Sequence, residues 1–335
     1  MNQRTFLSHL VRLCGIVILL AILLNVDIAK MAVVAQRISP VACIVGIVLV
    51  VITLVLRGLR WYTVAQGLDL RLRPLEAIDG LCIAQVMGFI LPGTLGDLIR
   101  VPYLKCRGNP SYRSIMSVFL DALLAASVFY AAGAVSVFVL IGPSVSLFVA
   151  VGSVSVVLVI GLYAVFYVVK ERAAPWLVQT RLRKIQGTGM SGRLFVSAGV
   201  ILSDVGIRRL AIGIVLSAGA WFTYTLLAWQ LGLALGIGLP WNTMAMVATL
   251  ASMISTVPVS VQGLGVRESV FLLLLGSMGI DYEITIAFSL LLMAMSLVPS
   301  VWGLVSWQRD PFVRIGPEKL EEAIVEPIEL VHERD

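Results

Sequence analysis

The sequence predicts an all-α polytopic membrane protein, with about six spanning helices plus two re-entrant helical hairpins arranged as an inverted repeat. Three observations predict it. Apolar residues make up 59% of the chain and charged residues 13%, giving a mean hydropathy of +0.99, far from the soluble globular range. The 57 residues from Leu210 to Val266 contain no Asp, Glu, Lys or Arg, whereas one bilayer crossing needs only about 20. Finally, two segments rhyme. One runs from Pro74 to Pro92-Gly93-Thr94-Leu95-Gly96-Asp97-Leu98-Ile99-Arg100, the other from Pro240 to Pro258-Val259-Ser260-Val261-Gln262-Gly263-Leu264-Gly265-Val266-Arg267-Glu268. In both, the two prolines stand 18 positions apart and an acid and an arginine follow.

Taken in order, the uncharged runs give spans near 13–29, 40–56, 114–141, 145–169, 210–232 and 284–308. The first is short, with Arg12 and Lys30 placed to snorkel to the two interfaces. Arg4 and Arg12 ahead of a compact apolar core would also suit a signal peptide. Asn25-Val26-Asp27-Ile28-Ala29 offers no small-x-small cleavage site, which favours a retained span.

Lys/Arg placement sets the orientation. With the N-terminus in the cytoplasm, the segment 57–73 (Arg57, Arg60, Arg71, Arg73) is cytoplasmic, as are 170–209 with eight Lys/Arg and the C-terminal tail. Outside remain Lys30, Arg37, Asp281 and Glu283. Segment 75–91 is then flanked by basic, cytoplasmic stretches on both sides, so it enters, turns at Pro92-Gly93 and returns. By the same parity 241–257 dips from the outer face and turns near Pro258–Gly265. The alternative is that both are ordinary full spans. The halves fall at 1–142 and 143–308 within one membrane domain, 1–309, followed by an acidic cytoplasmic tail, 310–335. That tail carries seven acids from Gly316 onward. Residues 191–209 place Leu194, Ala198, Ile201, Leu202 and Val205 on one helical face ending at Arg208 and Arg209, the pattern of an interfacial helix.

Composition also excludes chemistries. The two histidines, His9 and His332, lie at the ends, which removes His-based triads and zinc-protease motifs from the membrane interior. Cys14, Cys43, Cys82 and Cys106 form no CxxC pair, so neither a metal nor a disulfide is expected, and no cofactor. The net charge of +6 reflects cytoplasmic loops facing anionic lipid rather than nucleic-acid binding.

The candidate site lies at the two tips. A helix that breaks at Pro and restarts through Gly exposes unpaired N–H groups and the positive end of its dipole, which favour an anion. Gly93 and Gly96 would shape the first nest, Ser260, Gly263 and Gly265 the second; a plain helix break in a packed bundle is the alternative. Asp97, Arg100, Asp121, Arg267 and Glu268 are the ionisable residues expected in the interior, where each charge costs about 2.5–3.5 kcal/mol unless paired or bound. Cross-pairing is expected between the hairpins, Arg100 with Glu268 and Arg267 with Asp97, because neighbours on a helix diverge by about 100°. Asp121 would neutralise Arg100 or Arg113, or carry a coupling proton. Glu76 and Asp79 read as helix-start acids, and Trp61, Trp221, Trp229 and Trp302 as interface anchors or packing.

Leu91-Pro92-Gly93-x-x-Gly96-Asp97-x-x-Arg100 resembles the L-P-G-x-x-G-E-x-x-R signature of the flippase-like membrane domain of bacterial lysylphosphatidylglycerol synthases, with Asp97 at the usual Glu. Arg57-x-x-Arg60-Trp61 and Pro258-x-Ser260-x-x-Gly263-x-Gly265-x-x-Glu268 match as well, so the resemblance covers most of 40–305. It implies lipid translocation in the bacterial inner membrane. Arg100 and Arg267 would then contact a phosphate, while Asp97, Asp121 and Glu268 balance charge or couple a cation. The chain ends at Asp335 without the soluble synthase domain, so lysine transfer is not expected. The partners expected are membrane lipids, with a homo-oligomer or an envelope-biosynthesis partner compatible. Two other classes fit the residues: an intramembrane transferase using Asp97 or Glu268 as general base, and a non-catalytic envelope-assembly subunit.

Overall fold

Ser39 and Pro40 start the first described helix. The Ser39 side chain accepts a hydrogen bond from the Ala42 N–H at 3.1 Å, and proline supplies a preset φ where no amide partner is needed. The computed structural model describes residues 38–90, 93–140, 205–255 and 265–309. Helix α1 runs Pro40–Gly67, 28 residues. It therefore continues well beyond the expected 40–56 and carries Arg57, Arg60 and Trp61 within the helix rather than in a basic loop.

Helix α2 (Pro74–Ile90) is followed by a 3₁₀ helix (Gly93–Ile99) and the short α3 (Arg100–Lys105). Helix α4 spans Ser111–Leu140, α5 Ile207–Ala234, α6 Trp241–Ser255, α7 Val266–Ser277 and α8 Tyr282–Arg309, with Pro299 inside it. Four of these are long and apolar enough to cross a membrane: Pro40–Gly67, Arg113–Leu140, Ile207–Ala234 and Tyr282–Arg309. They correspond to four of the six expected spans. Those at 13–29 and 145–169 lie outside the described residues, as does the tail 310–335. Of the expected interfacial helix only its end is described, where Arg208 and Arg209 belong to the first turn of α5 instead.

The 17, 15 and 12 residues of α2, α6 and α7 make helices of about 18–26 Å, short of the roughly 30 Å hydrocarbon core. After α2 the chain reverses. A Cβ on Gly96 would stand 2.5 Å from the Gly88 nitrogen and 2.9 Å from the Ala84 oxygen, so the 3₁₀ helix lies directly on the α2 backbone and only glycine fits. Both ends of this unit meet at one place. The buried Asn109 side chain accepts from the Arg71 N–H at 2.7 Å and donates to the Arg71 and Leu104 carbonyls at 3.1 and 3.0 Å. The Tyr103 hydroxyl donates to the Glu76 carbonyl at 2.9 Å.

Helices α1 and α5 pack antiparallel. Gly46 faces Leu227 and Leu231, the Thr53 and Thr223 hydroxyls are 2.8 Å apart, and Gly219 faces Leu56. Small residues allow this approach, which drives helix association where lipid offers no hydrophobic contrast. Helix α2 packs on α8: a side chain on Gly303 would strike the Cys82 carbonyl, and Asp79 accepts from Trp302 Nε1 and Ser306 Oγ, both at 2.8 Å. In the same way α6 packs on α4, where Gly133 faces Met253.

These pairings obey an exchange. Swapping α1 for α5, α2 for α6, the 3₁₀–α3 unit for α7, and α4 for α8 turns α1–α2 into α5–α6 and α2–α8 into α6–α4. It also turns α1–α8 into α5–α4 and α1–α4 into α5–α8, and returns α1–α5 to itself. Two apolar cores follow the same division, one around Trp61, Leu81, Tyr103 and Leu124, the other around Leu231, Val247, Phe271 and Phe288.

Candidate functional site

Arg60 comes from the last two turns of α1, Arg100 from the restart after the 3₁₀ helix, and Asp121 from the third turn of α4. They meet in the interior, 5%, 1% and 1% exposed. The Arg60 Nε donates to Asp121 Oδ1 and the Arg100 Nη1 to Asp121 Oδ2, both at 2.7 Å. One carboxylate thus bridges two guanidiniums in the short, charge-assisted geometry. Arg100 also pairs with Asp97 Oδ1 at 3.1 Å and donates from Nε to the Asp97 carbonyl at 3.3 Å. Its guanidinium lies 5.0 Å over the Trp61 ring, whose Nε1 donates to Ser117 Oγ at 3.3 Å. Arg60 Nη1 reaches Ser217 Oγ of α5 at 3.4 Å, tying the cluster to the second half.

The second half has a different centre. Glu268 is fully buried at the start of α7. It accepts from the Gly265 N–H at 2.6 Å, Ser289 Oγ of α8 at 2.8 Å, and Arg267 Nη2 and Nε at 2.9 and 3.3 Å. Folding back onto its own helix start, the carboxylate satisfies an orphan N–H and meets the positive dipole end. Gly265 has φ +81°, a conformation that favours glycine.

The expected cross-pairing of Arg100 with Glu268 and Arg267 with Asp97 therefore does not form; each arginine pairs within its own half. Adjacent side chains on a helix do diverge, but the long Arg267 side chain reaches a carboxylate that has turned back over the first turn. Asp121 neutralises Arg100 as expected. Arg113 instead donates to the Leu68 carbonyl at 3.1 Å and pairs with Asp69 at 3.5 Å. Gly93 opens the 3₁₀ helix and Gly96 serves the contact between that helix and α2. Ser260 and Gly263 lie outside the described residues.

Reasoning from charge placement missed Arg60, which it grouped with the basic flank 57–73 instead of with the interior charges. Its signal was present: Arg57, Arg60 and Trp61 recur at i, i+3 and i+4, one helical face continuing an apolar span. Beside the cluster, α1, α2, α5 and α8 line a half-open cavity of about 170 Å³, bordered by Thr53, Arg57, Gln85, Tyr224 and Ser296 together with apolar side chains.

Long apolar helices surrounding short broken ones, with charges paired in the interior, define a multi-pass α-helical membrane protein. Across residues 9–303 the chain matches the family model of the lysylphosphatidylglycerol synthase TM region, and it belongs to that family, which ties it to membrane lipids. No curated protein matches the chain.

Proposed function

We propose that this protein is a lipid translocator of the bacterial inner membrane, moving an anionic phospholipid or polyprenyl-phosphate-type lipid between leaflets. The observation that carries the reading is the exchangeable packing of two halves about an antiparallel α1–α5 pair. Each half contributes a helix too short to span, Pro74–Ile90 and Trp241–Ser255. Inverted repeats with discontinuous helices are the architecture in which alternating access places a site near the bilayer midplane. In this reading the two hairpins are re-entrant, the first from the cytoplasm and the second from the outer face, and both termini are cytoplasmic. Gly93, Gly96, Ser260, Gly263 and Gly265 shape the tips, while Arg100, Arg267, Asp97, Asp121 and Glu268 hold the charge balance that lets them sit in the membrane. The Glu268 carboxylate is occupied by four donor groups, which supports a positioning role over that of a general base, and the protein acts without catalysing a covalent step.

The test is reconstitution into liposomes carrying labelled lipids of different head groups. Translocation of at least one anionic lipid is expected, with Arg100→Ala strongly impaired. No movement of any candidate lipid, with Arg100→Ala indistinguishable from wild type, defeats the reading.

A further inference from the structure

The cavity beside the ion cluster borders a charge that no described residue balances. Arg57 stands within electrostatic reach of Asp97, Asp121, Arg60 and Arg100. Among the described residues three guanidiniums share two carboxylates there, which leaves one surplus positive charge. Both carboxylates are taken by Arg60 and Arg100. Arg57, half-buried, makes no hydrogen bond or ion pair to any described residue, and no acid is among the described residues that line the cavity it borders. The Gln85 amide on the same wall also has no partner among the described residues. Tyr224 and Ser296 are already engaged, the first with Ser252 at 2.6 Å and the second with the Met293 carbonyl at 2.6 Å. Unspent donors therefore gather at Arg57 and Gln85, and the wall opposite is hydrocarbon, including Leu227, Leu292 and Met295.

An unpaired guanidinium inside a membrane protein is costly, and such residues pair or mark a ligand path. We infer that this cavity is a binding site for the phosphate of an anionic membrane lipid, with Arg57 as the cationic ligand, Gln85 as a neutral donor, and the apolar wall receiving the adjoining glycerol or chain. A head group of one negative charge completes the balance. The inference rests on the lipid-transport reading and deepens it. The arginines expected at the phosphate, Arg100 and Arg267, are held by carboxylates, whereas Arg57 has no carboxylate partner among the described residues.

The test uses the full chain in detergent, titrated with short-chain phosphatidylglycerol, phosphatidylcholine of the same chains, or inorganic phosphate, and read by native mass spectrometry and thermal shift. Wild type is expected to retain phosphatidylglycerol over phosphatidylcholine. Arg57→Gln should weaken that binding about tenfold or more, the loss typical of a charge-assisted hydrogen bond. Ser296→Phe, which fills the cavity and keeps the charge, should do the same. With lipid removed, Arg57→Gln should leave the melting temperature unchanged or higher, because no internal partner is lost. Equal phosphatidylglycerol binding by wild type and both variants overturns the site. Equal retention of the two lipids overturns the charge selectivity. Inorganic phosphate binding as tightly as lipid reassigns the cavity to a soluble anion and overturns the lipid assignment. A large drop in lipid-free stability on Arg57→Gln also overturns it, since it would reveal a structural partner. Failure here with intact liposome translocation removes the Arg57 site alone. Translocation of nothing, with Arg57-dependent binding preserved, removes transport and leaves the site.

Discussion

Asp121 is the residue on which the buried charges of the first half depend. It bridges Arg60 and Arg100 at once, so Asp121→Ala leaves the buried Arg60 without an acid and Arg100 with Asp97 alone. Breaking a buried pair from one side costs about 3–5 kcal/mol, and denaturation in detergent should show a loss of that size. Asp97 binds the same Arg100, but its side chain is 40% exposed. Asp97→Ala should cost under about 1 kcal/mol, as for exposed pairs. Equal losses in the two variants would refute burial as the deciding factor. Arg100, Asp121 and Glu268 were legible in the sequence as interior charges, because ionisable side chains inside apolar runs stand out, whereas Arg60, at the end of such a run, was not. The partners were not. A carboxylate's choice between Arg60, Arg100 and Arg113 is settled by where three separate helices cross. Glu268's choice of Arg267 follows from a side chain folding back to cap its helix, which residue spacing along an ideal helix does not reveal.

At the scale of elements, the structure shows how the short helix α2 and the segment after it are held. Asn109 and Tyr103 clamp the start of α2 to the end of α3, so the segment begins and ends on one side of the bundle. In a membrane this makes a testable statement about sidedness. In a background with Cys14, Cys43 and Cys82 replaced by Ala, the native, exposed Cys106 and an introduced Arg73→Cys should both react with an impermeant maleimide added from the same face. Reaction from opposite faces would mean that 74–105 crosses the bilayer, and the hairpin would be abandoned. Helix α1 shows the limit of hydropathy at this scale. Its span ends by composition near Leu56, yet the helix continues to Gly67 because Arg60 and Trp61 find buried partners there. Tertiary contacts supplied the satisfaction that water gives an ordinary basic loop.

The two-fold exchange of packing partners governs the whole molecule, and it separates interfaces that can stay fixed from those that must change. If the halves trade conformations during transport, the α1–α5 contact maps onto itself and can serve as the pivot. The α2–α8 contact would have to become what α6–α4 is now, and the two are not alike. Asp79 hydrogen-bonds Trp302 and Ser306 in the first, whereas the second seats Gly133 against Met253. The matched prolines pointed to a repeat, but no local pattern encodes that α2 packs on α8 and α6 on α4, since those contacts join elements over 100 residues apart. In a chain without native cysteines, a short cleavable thiol linker between Leu56→Cys and Gly219→Cys, which face each other away from the cavity, should therefore leave lipid translocation largely intact. The same linker between Asp79→Cys and Ser306→Cys should arrest it until cleaved, with each single variant active. Undiminished translocation after complete linkage of α2 to α8 would show that this interface does not move, and exchange between halves could not be how the protein works.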